Sequence, residues 1–134
     1  MPSKRIQRRA AVLGIKLSRS FYFAFAGLSY LFRTQRNARI HAIAGLCACA
    51  VAVWLHLDPV HWALLIFTIA LVLILEGLNT AIEAAIDLAM PKVHPLAKVA
   101  KDLAAGMVLI AAIASVLVGL LILGPPLWRR LFGQ

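Results

Sequence analysis

Three of the five acidic residues in this 134-residue chain lie between positions 76 and 87. They are Glu76, Glu83 and Asp87, and Asn79 lies among them. At about 100° per residue along a helix, these four side chains fall within one narrow arc. Carboxylates at a membrane boundary are costly unless they are paired, hydrated or bound to a metal. The arc therefore predicts a functional site whose oxygen atoms could hold Mg²⁺ and, through it, phosphate oxygens.

The composition of the chain is typical of an integral membrane protein. Hydrophobic residues make up 63 % of it and the mean hydropathy is +0.90, whereas soluble domains are roughly 45–50 % apolar. The net charge of +9 comes from Lys and Arg residues that flank apolar segments. This placement suits contact with anionic lipid headgroups, and we expect no nucleic-acid partner.

The hydrophobic runs predict an all-α membrane protein with two regions. Residues 1–33 should comprise a basic arm, over residues 1–19, and an aromatic, amphipathic helix that lies along the membrane surface. Residues 34–134 should form the transmembrane domain. Its three predicted spans cover residues 40–57, 60–88 and 96–123.

Local signals mark the ends of these spans. Asp58 and Pro59 suit the N-cap and the first residue of the second span. Pro95 should begin the third helix, and Gly124-Pro125-Pro126 should end it.

The distribution of basic residues orients the spans. The 58–61 turn contains no Lys or Arg, whereas the 90–101 segment contains Lys92, Lys98 and Lys101. The positive-inside rule then predicts a cytoplasmic N-terminus and a cytoplasmic 90–101 segment, although Arg129 and Arg130 count against it. This orientation brings the acidic arc beside the start of the third helix.

A cytoplasm-facing pocket of carboxylates, an amide and lysines is suited to phosphoryl transfer, which depends mainly on positioning and electrostatic stabilisation. Lys101 and Asp102 differ by about 100° around their helix, so we expect only one of them to face the acids. Taken singly, His94 is more simply an ordinary residue at a cytoplasmic helix end. By the same reasoning, Arg39 is a headgroup anchor and Trp54 an interfacial belt residue.

The ordered motif resembles a known family signature. Glu76-x-x-Asn79-Thr-Ala-Ile-Glu83-x-x-x-Asp87, followed by His94-Pro-Leu-Ala-Lys98-x-Ala-Lys101-Asp102, is similar to the small bacterial integral-membrane diacylglycerol kinases and undecaprenol kinases. The resemblance covers roughly residues 16–123 and includes the segment Thr-Gln-Arg-Asn-Ala-Arg-Ile-His at 34–41.

The resemblance implies a homotrimer in the bacterial plasma membrane, with active sites at the cytoplasmic interface. It implies transfer of the γ-phosphoryl group of ATP, with Mg²⁺ as cofactor, to the hydroxyl of diacylglycerol or undecaprenol. The choice between these two acceptors stays open.

The resemblance also implies roles for individual residues. Glu76 matches the general base towards the lipid hydroxyl, and Glu83 matches a metal ligand. The nucleotide positions are Asn79, Asp87, His94, Lys101, Asp102, Lys16 and Phe23. The lipid-substrate positions are Arg39 and Trp54.

Gln35 departs from the family pattern, because this position usually carries a second metal-binding Glu. An amide offers one oxygen and no charge, so we expect weaker metal binding. No acidic residue occurs between positions 1 and 57 to replace it.

Two non-enzymatic functions are alternatives to a kinase. An ion- or proton-conducting oligomer would need polar residues through the depth of a span, but residues 63–75 contain only Thr68. A structural assembly subunit would explain the apolar bulk of the chain and would leave the clustered acids unexplained.

Overall fold

The computed structural model describes residues 4–90 and 94–133, with side chains from residue 16 onwards. The described residues form four helices, which are α1 (Lys4–Thr34), α2 (Arg36–Trp54), α3 (Pro59–Ala89) and α4 (Pro95–Phe132). Within the described part of the chain, α2, α3 and α4 have the length and apolar composition needed to cross a membrane. The predicted all-α class with three such helices is confirmed, and the trimer remains a prediction.

Helix α1 belongs to a compact unit of its own, Met1–Thr34, and the remaining helices belong to a second unit, Gln35–Gln134. The sequence predicts a basic arm over residues 1–19, and in the structure its residues from Lys4 onwards already belong to α1. The physical reason is the composition of this stretch, because most of its residues are Lys, Arg, Gln, Ala or Leu, which favour helix. Its aromatic side chains, such as Phe21 and Tyr22, are exposed.

The turn between α2 and α3 follows the capping signals in the sequence. Oδ1 of Asp58 accepts hydrogen bonds from the backbone N–H groups of Val60 at 3.0 Å and His61 at 3.2 Å. Pro59 occupies the first position of α3, where a missing N–H leaves no intrahelical bond unmade. The predicted start of the second span is therefore confirmed. On the α2 side, His56 adopts a left-handed backbone conformation, with φ of 53°.

Small residues let α2 lie close to its neighbours. Ala38, Gly45 and Ala52 are its buried residues, and a spacing of seven places them on one face. A Cβ atom at Gly45 would lie 2.8 Å from Cγ2 of Ile69 in α3. This contact requires a glycine, and it sets the separation of α2 and α3 in the middle of the bundle.

Helix α4 continues beyond the expected stop. It passes through Pro125 and Pro126 and ends at Phe132, so the predicted end at Gly124-Pro125-Pro126 is wrong. Each proline removes one backbone hydrogen bond, but membrane helices tolerate such interruptions. The true stop is Gly133, whose φ of 70° gives a left-handed cap and whose N–H donates to the carbonyl of Arg129 at 3.0 Å.

Candidate functional site

A polar cavity of about 160 Å³ lies between α2, α3 and α4. Helix α3 contributes Glu76 and Asn79 to its lining, and α2 contributes Asn37 and His41. The residues from α4 are apolar, namely Ala105, Val108, Leu109 and Ala112. Four polar side chains from two helices therefore converge on one small space inside a membrane bundle.

Glu76 is the most deeply buried of the acids. Its exposed fraction is 2 %, and it shares the buried stripe of α3 with Leu65, Val72 and Thr80. Among the described residues, none donates a hydrogen bond to its carboxylate, although Thr80 donates to its backbone carbonyl at 2.9 Å. A buried carboxylate without a partner is costly, so its position on the core face calls for a function rather than a structural explanation.

Asn79 and Glu83 form a second part of the site, about one and two turns beyond Glu76 along α3. Nδ2 of Asn79 donates to Oε1 of Glu83 at 3.2 Å. The other amide atom, Oδ1 of Asn79, is buried and has no hydrogen-bond partner among the described residues. The pair therefore presents an amide oxygen and a carboxylate, which are the hard ligands that Mg²⁺ prefers.

The described residues hold no group of three or more His, Cys, Asp or Glu side chains that could bind a metal by themselves. Mg²⁺ is commonly bound through one or two carboxylates, with water and substrate phosphates completing the octahedron. Asn79 and Glu83 fit such an incomplete set, which requires a phosphate-bearing substrate to finish it.

At the end of the acidic arc, α3 and α4 are joined by an ion pair. Nζ of Lys101 lies 2.5 Å from Oδ1 of Asp87. Asp102 instead pairs with Lys98 on its own helix, at 2.7 Å. The expectation that only one of Lys101 and Asp102 faces the acids is confirmed, and the residue is Lys101.

His94 and Gln35 lie at helix starts. Nδ1 of His94 accepts the backbone N–H of Leu96 at 3.2 Å, so its ring caps α4. Gln35 occupies the N-cap position of α2, but its side chain makes no capping hydrogen bond. It precedes Asn37, which lines the polar cavity, by two residues.

The two predicted lipid residues do not lie together. Arg39 is near the start of α2 and Trp54 at its end, and fifteen residues of helix separate them by about 22 Å. The guanidinium carbon of Arg130 lies 4.9 Å from the centre of the Trp54 ring, as a cation–π contact. One headgroup cannot contact both residues, so only a long molecule lying along α2 could do so.

Lys16 and Phe23 are on α1. Both side chains are exposed. Ser20 donates its hydroxyl to the carbonyl of Lys16 at 3.0 Å, within the helix. Their predicted contact with a nucleotide stays a prediction.

The polar residues that α2 brings to the cavity, Asn37 and His41, are absent from the site predicted by sequence. A signal for them exists, because His41 is an ionisable residue inside the predicted first span. Asn37 lies four residues earlier and therefore on the same helix face. What the sequence does not reveal is that this face turns towards Glu76.

Comparison with known proteins gives a consistent set of relatives. A family model for prokaryotic diacylglycerol kinases matches residues 22–123, a range that includes all the predicted site residues except Lys16. A diacylglycerol kinase of Synechocystis sp. is 49 % identical over 92 % of this chain and 71 % of its own length. An undecaprenol kinase of Bacillus subtilis is 44 % identical over 81 % of this chain and 89 % of its own. A diacylglycerol kinase of Escherichia coli is 37 % identical over 71 % and 78 %.

Proposed function

The chain belongs to the prokaryotic diacylglycerol kinase family and is a lipid kinase, and from this premise we propose that Glu76 serves as its base in phosphoryl transfer from ATP. The observation that carries the proposal is the buried, unpartnered carboxylate of Glu76 beside the oxygen ligands of Asn79 and Glu83. The non-enzymatic alternatives are not favoured, because they assign no role to Glu76, Asn79 and Glu83.

In the proposed reaction, the lipid hydroxyl oxygen forms a bond to the γ-phosphorus of ATP. The bond from that phosphorus to the oxygen that bridges to the β-phosphorus breaks, and ADP leaves with the bonding electrons. The hydroxyl proton passes to the carboxylate of Glu76, which acts as the general base. The burial of Glu76, which is 2 % exposed, leaves little room for water, which would compete with the lipid hydroxyl for the γ-phosphorus.

The cofactor in this proposal is Mg²⁺, which when bound would neutralise charge on the phosphate oxygens. Asn79 Oδ1 and the Glu83 carboxylate are the groups on α3 that would hold it. Gln35 would offer a neutral oxygen in place of a second carboxylate, so the ion would be held more weakly.

The remaining predicted residues complete the nucleotide site in the same proposal. Lys101 brings positive charge to the end of the acidic arc, where the ATP phosphates would lie. Asp87 orients Lys101 through their ion pair, and the other positions that we assign to the nucleotide are His94, Asp102, Lys16 and Phe23. A cytoplasmic orientation, which the basic residues favour, gives this end access to ATP, and a homotrimer is part of the same proposal.

Two acceptor lipids follow from the relatives. Diacylglycerol is our first candidate, because the diacylglycerol kinase of Synechocystis sp. is 49 % identical over 92 % of this chain. Undecaprenol is the second, from the 44 % identical relative of Bacillus subtilis. Both carry a primary hydroxyl on an apolar body, which suits a base buried at the edge of a membrane.

Direct phosphoryl transfer tests the function. The protein, purified in detergent, receives Mg²⁺ and γ-labelled ATP with either diacylglycerol or undecaprenol. We expect label in one lipid, at a rate that falls sharply in Glu76→Gln prepared in the same way, which also controls for contaminating kinases. If a folded protein labels neither lipid, or labels one equally well after Glu76→Gln, the proposal is overturned.

A further inference from the structure

His41 lies where two cavities meet. It lines the polar cavity that contains Glu76, and it also lines a second cavity of about 250 Å³. The second cavity is mainly apolar, and among the described residues that line it only Ser115 is polar besides His41. The half-buried imidazole of His41 therefore has most of its polar neighbours on one side, the side of Glu76.

Helix packing places His41 on the surface of α2 that faces Glu76. Gly45, one turn after His41, is the point of close approach to Ile69 of α3. The short turn between α2 and α3 makes these helices antiparallel. His41 precedes Gly45 by one turn on α2. It therefore lies level with the part of α3 that follows Ile69, in the direction of Glu76.

The acceptors available to His41 in the polar cavity are unequal. Asn37 is exposed, so water can serve it. Asn79 already uses its amide nitrogen on Glu83 and offers only a neutral carbonyl oxygen. The carboxylate of Glu76 is buried, receives no hydrogen bond from the described residues, and lines the same cavity as His41. A hydrogen bond to a carboxylate is roughly twice as strong as one between neutral groups.

We propose that His41 is a positioning residue for Glu76: when the acceptor lipid binds, its ring donates an N–H to the carboxylate and holds it towards the acceptor hydroxyl. The two side chains share a cavity but are not hydrogen-bonded in the structure, and such contacts often form only with substrate in place. This inference rests on the proposed function, in which Glu76 is the base. An imidazole always carries at least one N–H donor. Fixing the carboxylate once the lipid is bound leaves it less rotational freedom to lose in the reaction itself.

Kinetics on two variants test the role. His41→Leu removes the donor, and His41→Gln keeps an N–H on a side chain of similar reach. We expect His41→Leu to lower kcat by about tenfold or more with KM for MgATP unchanged within about twofold, because only a step after binding is affected. His41→Gln should recover most of kcat. His61→Leu, the same substitution at the opposite end of the bundle, should retain wild-type turnover.

A merely structural role for His41 gives a different result. It would lower the thermal unfolding temperature in detergent and would leave kcat of the folded fraction unchanged. A fully active His41→Leu protein, or equal kcat losses in the Leu and Gln variants, would overturn the proposal.

Nuclear magnetic resonance of the protein with ¹⁵N-labelled histidine rings, recorded with the acceptor lipid bound and without ATP, identifies the partner without relying on turnover. The His41 signals, assigned by their absence in His41→Gln, should move in Glu76→Gln and stay in place in Asn79→Ala. Signals that respond to Asn79→Ala alone would overturn the assignment of Glu76 as partner. If wild-type protein transfers label but the His41 ring signals are the same in Glu76→Gln as in the wild type, only this inference fails. If wild-type protein transfers no label, the proposed function fails.

Discussion

Acidic side chains lie at the start of α3 and again from its middle onwards, and the two regions use them in different ways. At the Pro59 end, Asp58 caps the helix and contacts the ring of His61, and both side chains are about half exposed. Near the middle of the helix, 17 residues after Pro59, Glu76 is 2 % exposed and receives no hydrogen bond from the described residues. Its neighbours come from a different helix, since Asn37 and His41 belong to α2.

The contrast shows how a structural acid differs from a functional one. Asp58 makes its hydrogen bonds with residues no more than three positions away and remains in contact with water, so it stabilises local structure at little cost. Glu76 is desolvated and unpartnered, which costs stability. A protein retains such a group where chemistry requires it, and polar residues in a membrane interior most often mark function.

The largest effect is expected from a substitution at Glu76, the functional acid of this contrast. Glu76→Gln keeps the size of the side chain and removes the base, so we expect turnover to fall by about 10²–10⁴-fold. Binding of MgATP should stay close to that of the wild type, because Glu76 does not hold the nucleotide. Label transfer and isothermal titration measure the two quantities. Retention of most turnover would show that the base is another group.

Glu83→Gln should affect both quantities. The substitution removes the charge of the proposed metal ligand, and we expect Mg²⁺ affinity to fall at least about tenfold, the lower bound for groups that only orient metal ligands. Turnover at saturating ATP should fall as well. The measurement is the Mg²⁺ dependence of label transfer in the variant and the wild type. An unchanged Mg²⁺ requirement would remove Glu83 from the metal site.

Gln35→Glu should change activity in the opposite direction. A carboxylate at this position would add a charged ligand where the chain has an amide, so the Mg²⁺ concentration for half-maximal activity should fall several-fold. Gln35→Asn serves as the matched control, because it alters the side chain without adding charge. A requirement that stays the same or rises in Gln35→Glu would show that this residue does not reach the metal.

The smallest effect is expected at the start of α3, where Asp58 caps the helix. The hydrogen bond with the His61 side chain holds the pKa of Asp58 below its ordinary value of 3.8. A lowered pKa in the folded state means that the ionised group stabilises the protein above pH 3.8, and that this contribution is lost as the pH falls through the lowered value. Asp58→Asn keeps a capping oxygen but does not titrate.

We therefore expect Asp58→Asn to have wild-type turnover and a slightly lower thermal unfolding temperature at neutral pH. The difference in unfolding temperature should shrink as the pH falls through the lowered pKa of Asp58, because the wild-type carboxyl then becomes protonated as well. Thermal unfolding in detergent over a series of pH values from neutral to acid measures it. A large loss of turnover in Asp58→Asn would contradict the purely structural role that we assign to Asp58.

Much of the fold could be read from local patterns, and the errors have local causes. Asp58-Pro59 correctly predicts the start of α3, because a cap acts on the residues next to it. Gly124-Pro125-Pro126 misleads as a stop signal, since the surrounding turns of α4 carry the helix past it to Gly133. Residues 4–19 lack a long apolar run and yet have the composition of a helix.

The amino-acid sequence by itself determined the membrane class, the apolar helices and the acidic arc of α3. These depend on composition and on the fixed angle between successive residues of one helix, which require no knowledge of neighbours. Only the tertiary structure decided which side chains meet across helices. Lys101 rather than Asp102 reaches Asp87, and His41 joins Glu76 in one cavity, because each helix takes its rotation from packing contacts such as Gly45 against Ile69.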